Sequence, residues 1–170
     1  MSATAARDRL NPVVRPAVEA DYPRIGELTV TAYLGNGVSG PDYRAELSDV
    51  TGRARQAELF VAELDRVVVG SVAFVRHGAP FAEITTGPEE AAFRMLAVSP
   101  EARGLGAGEL LVRACLDQAR AVGCTRVVIS TGPLMHAAHR LYVRLGFQRE
   151  PSRDWSPKPG VDLICYQLPV

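Results

Sequence analysis

The sequence predicts a mixed α/β fold, and three observations predict it. Two apolar runs, Leu59–Leu64 and Val67–Val75, are separated only by Asp65-Arg66, which is hairpin spacing. A short apolar run ending at Val98 passes through a glycine loop into a helical apolar period. A third run, Arg126–Ser130, turns at Thr131-Gly132-Pro133 into another helical period. A hairpin, then strand–helix–strand–helix, then terminal strands gives a sheet with helices on both faces.

Taken in order, Val13–Pro16 reads as an opening strand closed by proline. Asp21 caps a helix to about Tyr33, with Pro23 in its first turn and Ile25, Leu28, Thr29 and Ala32 on one side. Residues 35–41 are a glycine-rich loop, expected to be mobile. A second helix follows from Tyr43 to about Thr51, and Gly52–Gln56 continues as a polar connection. After the hairpin, His77-Gly78-Ala79-Pro80 breaks the strand and Phe81–Glu90 is a punctuated connection. The strand Ala92–Val98 is stopped by Ser99-Pro100. The next helix runs to about Val122, with Leu110, Leu111, Ala114, Cys115, Ala119 and Val122 on one stripe and Gly123 at its end. A further helix spans Leu134 to Leu145 and is closed by Gly146. In it Leu134, Leu141 and Leu145 form the core face, while Tyr142 lies roughly 100° round on a flank with Met135, Ala138 and His139. A charged, proline-rich loop from Pro151 to Gly160 leads to a last strand, Leu163–Leu168.

A chain of 170 residues suffices for one sizeable core. We expect a single domain over residues 13–170 behind a flexible tail, residues 1–12. Lysine plus arginine equals aspartate plus glutamate at 19 each, so no net field draws the chain to nucleic acid or an anionic membrane. No apolar run is long enough to span a bilayer, and the start has no secretion h-region. Cys115, Cys124 and Cys165 are odd in number and widely spaced, as small core residues of a reduced, cytoplasmic protein.

Arg103-Gly104-Leu105-Gly106-Ala107-Gly108 joins strand to helix. Such a junction leaves backbone N–H groups unpaired at the helix start, where the dipole favours an anion and missing Cβ atoms admit one. The physics suggests a phosphate cradle; a tight turn with close strand–helix packing is the alternative. A nucleotide P-loop would need Gly-Lys-Ser/Thr, but Gly108 is followed by Glu109. A dinucleotide fingerprint would need glycine at that same Glu109. What remains resembles the GNAT superfamily signature Arg/Gln-x-x-Gly-x-Gly/Ala, met by Arg103, Gly106 and Gly108. Ala138-His-Arg-Leu-Tyr142-Val-Arg-Leu-Gly146-Phe147 resembles its other signature, Ala-x-x-Leu-Tyr-x-x-x-Gly-Phe.

The resemblance implies a mostly antiparallel central sheet flanked by helices and an N-acetyltransferase that uses acetyl-CoA as cosubstrate, without metal. It implies that Arg103–Gly108 holds the coenzyme pyrophosphate. Leu96, Ala97 and Val98 would present backbone to the pantetheine arm and, at a bulge, an N–H to the oxyanion. Met135 and Ala138 would line the coenzyme, and Tyr142 would be the general acid for the leaving sulfur. Two departures stand out. Ala92 occupies the position of the family's glutamate base, leaving the base unassigned with Glu83, Glu89 and Glu90 nearby. Met135 stands where many relatives have asparagine, which implies a weaker or apolar contact. His136 and His139 lack a third ligand at metal spacing, and Ser130-Thr131 lacks a nucleophile elbow.

For the acceptor amine, the loop Tyr33–Tyr43, the connection Phe81–Glu90 and the loop Asp154–Gly160 offer Tyr33, Glu83, Asp154 and Trp155, suited to an ammonium. The acceptor is a small-molecule or peptide amine; its identity and the acyl-chain range stay open, as does a homodimer. The rival reading is a catalytically inactive acyl-CoA-binding sensor or regulatory module.

Overall fold

Asp65 and Arg66 both adopt left-handed backbone, φ 48° and 65°, as a type I′ turn requires to match the twist of paired strands. They join β2 (Glu58–Leu64) to β3 (Val67–Arg76), the hairpin that the sequence predicts. The computed structural model describes residues 11–34 and 41–170. Residues 1–10 of the tail expected over 1–12, and residues 35–40 of the glycine-rich loop expected over 35–41, lie outside the described residues.

Before the hairpin come β1 (Val13–Pro16), a 3-10 turn (Glu19–Asp21), α1 (Tyr22–Leu34), α2 (Pro41–Ser48) and α3 (Val50–Ala54). After it come β4 (Glu90–Val98), α4 (Ala107–Ala121), β5 (Arg126–Thr131), α5 (His136–Arg144), β6 (Gln148–Arg149), β7 (Trp155–Lys158) and β8 (Val161–Pro169). The strands bond in the order β1-β2-β3-β4-β5-β8-β6, with β7 on β8. β4 and β5 are parallel, whereas β1–β2, β5–β8, β6–β8 and β7–β8 are antiparallel. This is the mixed, mostly antiparallel sheet flanked by helices that the sequence implies.

The chain forms two compact units. The first comprises the described residues up to Ala73 together with Met95–Ala114. Its core joins Ile25, Leu28, Val50, Leu59, Val61, Val68, Ala73 and Ala97. The Arg15 guanidinium ties the β1 end to the start of α1, donating to both Asp21 oxygens at 2.8 and 3.0 Å and to Glu63 at 3.0 Å. Those bonds hold the Asp21 carboxyl below its ordinary range. Asp21 is therefore not the helix cap expected from sequence. The helix is preceded by a 3-10 turn, and the Asp21 carboxylate reaches back to accept the Val18 N–H at 2.8 Å.

The second predicted helix is two. Asp49 breaks it, and its side chain accepts the Gly52 N–H at 2.9 Å to start α3. Gly52–Ala54, read from sequence as connection, is thus helical. Arg53 is buried and donates to the Leu47 and Glu46 carbonyls at the end of α2, at 2.8 and 3.3 Å.

The second unit comprises Phe74–Arg94 and Cys115–Val170. β5 carries the buried Val127, Val128 and Ile129 and pairs with β8 from Arg126↔Pro169 to Thr131↔Ile164. Its register with β4 covers only Glu90↔Arg126 to Ala92↔Val128. Two elements differ from the sequence reading. The loop expected over Pro151–Gly160 contains β7, paired Trp155↔Leu163 and Lys158↔Val161, because its alternation is hidden by two prolines. The buried stripe of α4 is Leu111, Val112, Cys115, Leu116 and Ala119, while Leu110 is 37% exposed. The three cysteines are buried and unbridged, as expected. Among the described residues, no helix is long and apolar enough to cross a membrane.

The hairpin turn yields a prediction. Both Asp65 and Arg66 hold a backbone that L-residues rarely adopt. Replacing the pair with Asn-Gly should stabilise the fold by about 1 kcal/mol. An unchanged urea midpoint would contradict the turn assignment.

Candidate active site

In the first unit, β4 carries Met95 at φ 55°, a left-handed residue inside a strand. Such a residue interrupts the ladder and re-aims the backbone after it, as a bulge does. Leu96, Ala97 and Val98 follow directly. The Leu96 carbonyl accepts the Tyr33 hydroxyl at 3.3 Å, so α1 reaches this stretch of β4. Past Val98, the Ser99 N–H donates to the Val69 carbonyl at 2.7 Å and a 3-10 turn over Pro100–Ala102 leads into the glycines.

Gly104 and Gly106 have φ of 78° and 86°, the region glycine enters without steric cost. A Cβ built on either would meet nothing within 4 Å. Close strand–helix packing therefore does not explain these glycines: the space before them is open. The close-packing glycine is Gly70 on β3, whose Cβ would stand 3.1 Å from the Ala97 carbonyl oxygen and 3.0 Å from Leu111 Cδ1. The Leu110 N–H donates to Gly106 O at 3.0 Å, which makes Gly106 the N-cap of α4. The N–H groups of Ala107, Gly108 and Glu109 then lie in the first turn, with no acceptor within the helix. The Glu109 carboxylate turns instead to Arg113, at 2.9 and 3.1 Å. Arg103 and Leu105 are exposed on the same loop. This unit thus brings Tyr33, Leu96, Ala97, Val98 and the whole of Arg103–Gly108 together.

In the second unit, Tyr142 is 5% exposed and is the one buried residue of α5. Leu134 is 73% exposed and lies before the helix, and Leu141 and Leu145 are half-buried. The sequence reading had the faces reversed: the tyrosine, not the leucines, points inward. Its ring centroid lies 5.9 Å from Phe93, 5.7 Å from Phe147 and 6.0 Å from Tyr166. The helix end fixes it further. Gly146 at φ 96° lets the Phe147 N–H donate to the Tyr142 carbonyl at 2.9 Å and the Gly146 N–H to Val143 O at 3.0 Å. This is a Schellman stop, and the Tyr142–Phe147 ring contact is its hydrophobic clasp.

Met135 precedes α5 as its N-cap residue, and Ala138 is half-buried in its first turn. His139 bonds the Gly132 carbonyl at 2.9 Å and stacks at 5.8 Å from Tyr166. Burial lowers its pKa against that bond, with His136 and Arg149 acting in the same direction as burial. Among the described residues, no group of three or more His, Cys, Asp and Glu could hold a metal ion.

The two carboxylate acceptor candidates of this unit are already engaged. Glu83 pairs with Arg94 at 3.3 Å, and that guanidinium lies 5.4 Å from the Phe81 ring. Asp154 accepts from Arg149 at 2.8 and 2.9 Å and from the Cys165 N–H at 2.8 Å. The Arg149 bonds chiefly hold its carboxyl below the ordinary range. Trp155 is half-buried, and its buried Nε1 has no hydrogen-bond partner. Ala92, at the family's base position, is a buried methyl.

Two features escaped the sequence. One is Met95, since nothing in a methionine announces a left-handed φ. The other is the burial of Glu90, which the sequence offers only as one of three carboxylates near the base position: its side chain has no exposed surface. Arg153 donates to its two oxygens at 2.5 and 3.0 Å, Arg126 at 3.3 Å, and the Thr86 N–H and hydroxyl at 2.8 and 3.2 Å. Burial works to raise the Glu90 pKa, but the bonds from Arg153 and Thr86 outweigh it and bring it from 4.5 to about 2. So weak a base, with both oxygens occupied, is unsuited to deprotonate an amine.

The profile of the Acetyltransferase (GNAT) family matches residues 23–147. The chain belongs to the GNAT family. Among its curated relatives, N-acetyltransferase 8F1 of Rattus norvegicus is 35% identical over 112 residues, which are 65% of this chain and 49% of that protein. The chain spans about half the length of the curated relatives it matches. A GNAT acetyltransferase of Staphylococcus aureus Mu50 superposes with a TM-score of 0.72 at 14% identity, covering 93% of this chain and 98% of that one. A GNAT acetyltransferase of Elizabethkingia anophelis, with acetyl-CoA bound, superposes at 0.67 with 16% identity, covering 94% and 99%. These solved structures establish the likeness of fold.

The Glu90 cluster makes acid stability a test. A carboxyl with a depressed folded pKa stabilises the fold above its unfolded value and loses that contribution as pH falls through the folded one. Glu90→Gln should cost about 3 kcal/mol at pH 7. The gap from wild type should narrow as pH drops from 4.5 towards 2. Urea unfolding at a series of pH values would show it, and a gap independent of pH would contradict the cluster.

Proposed function

We propose that the protein is an N-acetyltransferase that uses acetyl-CoA and acylates a primary amine by direct transfer. One observation carries this reading: in a GNAT chain, left-handed Met95 directly precedes Leu96–Val98, and the same strand runs on to two left-handed glycines with open space before them. That open cradle fits an anion at a helix start. Acetyl-CoA supplies an acetyl group already activated as a thioester, with a pyrophosphate at its far end.

The backbone N–H groups of Arg103–Gly108 hold the pyrophosphate, helped by the dipole of α4. Backbone groups of Leu96, Ala97 and Val98 align the pantetheine arm, and an N–H freed at the Met95 break supports the developing oxyanion. Met135 and Ala138 line the arm. Tyr142 gives its hydroxyl proton to the departing sulfur as the C–S bond breaks and the C–N bond forms, and recovers a proton from solvent. A phenol is protonated at neutral pH, as that role requires. Ala92 and Glu90 supply no base, so the amine attacks in its neutral form and the proton that its nitrogen sheds on becoming an amide leaves through water to solvent. Tyr33, Glu83, Asp154 and Trp155 border the acceptor. Residues 13–170 act as a single acetyltransferase domain in the cytoplasm.

Ala92 also favours a second reading, an inactive acyl-CoA-binding sensor. Thioester consumption with a panel of amino acids, a polyamine, an aminoglycoside and a peptide N-terminus separates the two: turnover on any of them excludes the sensor.

Two variants test the assignments. Gly106→Asp places a carboxylate and a strained backbone in the cradle, so calorimetry should register loss of acetyl-CoA binding by a folded protein. Unchanged affinity would remove the loop from the site. Tyr142→Phe keeps the ring cluster and should lower kcat by roughly 10²–10⁴-fold with coenzyme affinity retained. A variant turning over at the wild-type rate would leave Tyr142 a packing residue.

A further inference from the structure

We propose that Glu90 and Arg153 position the acceptor side of the enzyme: one buried carboxylate locks the connection before β4 to the turn before β7, and amine recognition depends on that lock. The inference rests on the acetyltransferase reading above and on the assignment of these two segments to the acceptor.

The connection from His77 to Glu89 contains no regular element; at its end the Glu89 carbonyl accepts the Thr125 and Arg126 N–H groups at 2.8 and 3.3 Å, and before that its backbone bonds are local turns such as Ala82 to Ala79 and Thr85 to Ala82. Glu90 anchors its middle to the turn before β7. That carboxylate takes the Thr86 N–H and hydroxyl from the connection and both terminal nitrogens of Arg153 from the Pro151–Arg153 turn. Arg153 also reaches the connection directly, donating to the Ile84 carbonyl at 3.1 Å. Ile84 adjoins Glu83, and Arg153 lies two residues before Trp155. A shift at the lock therefore moves Glu83, Asp154 and Trp155.

The chemistry is suited to positioning. A buried ion pair gains little net stability, because desolvation offsets its attraction. A bidentate guanidinium–carboxylate pair does fix direction and distance, which a hydrophobic contact does not. Glu90 cannot swing to water, and Arg153, with 18% of its side chain exposed, has little room to do so.

Glu90→Gln keeps the volume but sets an amide NH₂ or a weaker oxygen against Arg153. Arg153→Lys keeps the charge but loses the fork; it is the second arm should the buried variant fold poorly. With the best amine of the panel varied at saturating acetyl-CoA, both variants should raise the amine KM by about tenfold or more. Their kcat should change little, and acetyl-CoA affinity by calorimetry should be unchanged. Hydrogen exchange should quicken together in residues 81–89 and 150–158. Unchanged KM in variants of an active wild type, or unaltered exchange in both segments, would overturn the lock alone. A wild type that acetylates no amine would overturn the underlying reading, and the acceptor assignment with it.

Discussion

A carboxylate with no exposed surface must be neutralised where it stands, and Glu90 imposes that demand at the first residue of β4. Two arginines far apart in sequence, Arg126 and Arg153, are drawn to it. One lies at the start of β5, opposite Glu90 in the parallel register. The other lies at the end of the turn ahead of β7. The head of the strand, its parallel neighbour and an irregular segment are thus set by one charge balance, within which the connection's Thr86 also finds its partner. The parallel pairing needs such help, for it covers only three residues of each strand.

β4 changes its task along its length. Its first residues pair with β5, with Ala91 and Ala92 fully buried. At Met95 the backbone turns left-handed, a conformation that disfavours a side chain and persists only when its surroundings over-determine it. Beyond that point the strand is bonded through Leu96 to Tyr33, and Ser99 bonds to Val69. Gly70 lets the Ala97 carbonyl approach within a distance that a Cβ would obstruct. The open glycines then follow. The strand thus leads, past the break at Met95, into the glycine loop.

Local signals made most of the elements legible. The Asp65-Arg66 hairpin, the strand–glycine-loop–helix junction and the two glycine helix stops are each written in a few adjacent residues, and they stand where the sequence places them. What failed needed information from afar. Asp21 looked like a cap, but Arg15 and Val18 claim its oxygens. The leucines of α5 looked like its core stripe, yet the aromatic neighbours that draw Tyr142 inward come from β4, β8 and the segment after the helix. Arg153 sat in a stretch that charge and proline marked as loop, and nothing local linked it to a glutamate 63 residues earlier. The glycine loop between β4 and α4 could be read from spacing, whereas the pairing of Glu90 with Arg153 could not.

The Schellman stop that ends α5 uses the Tyr142 carbonyl and clasps the Tyr142 ring against Phe147. Both contributions come from backbone and ring, and neither needs the phenolic oxygen. The residue thus serves architecture with one part and, in our reading, chemistry with another, and the two are separable at a single atom. A descendant with phenylalanine at this position would retain the helix end and the aromatic cluster. A working transferase and a silent one could then share an outline, and fold alone would be a poor guide to which of the two a lineage has kept.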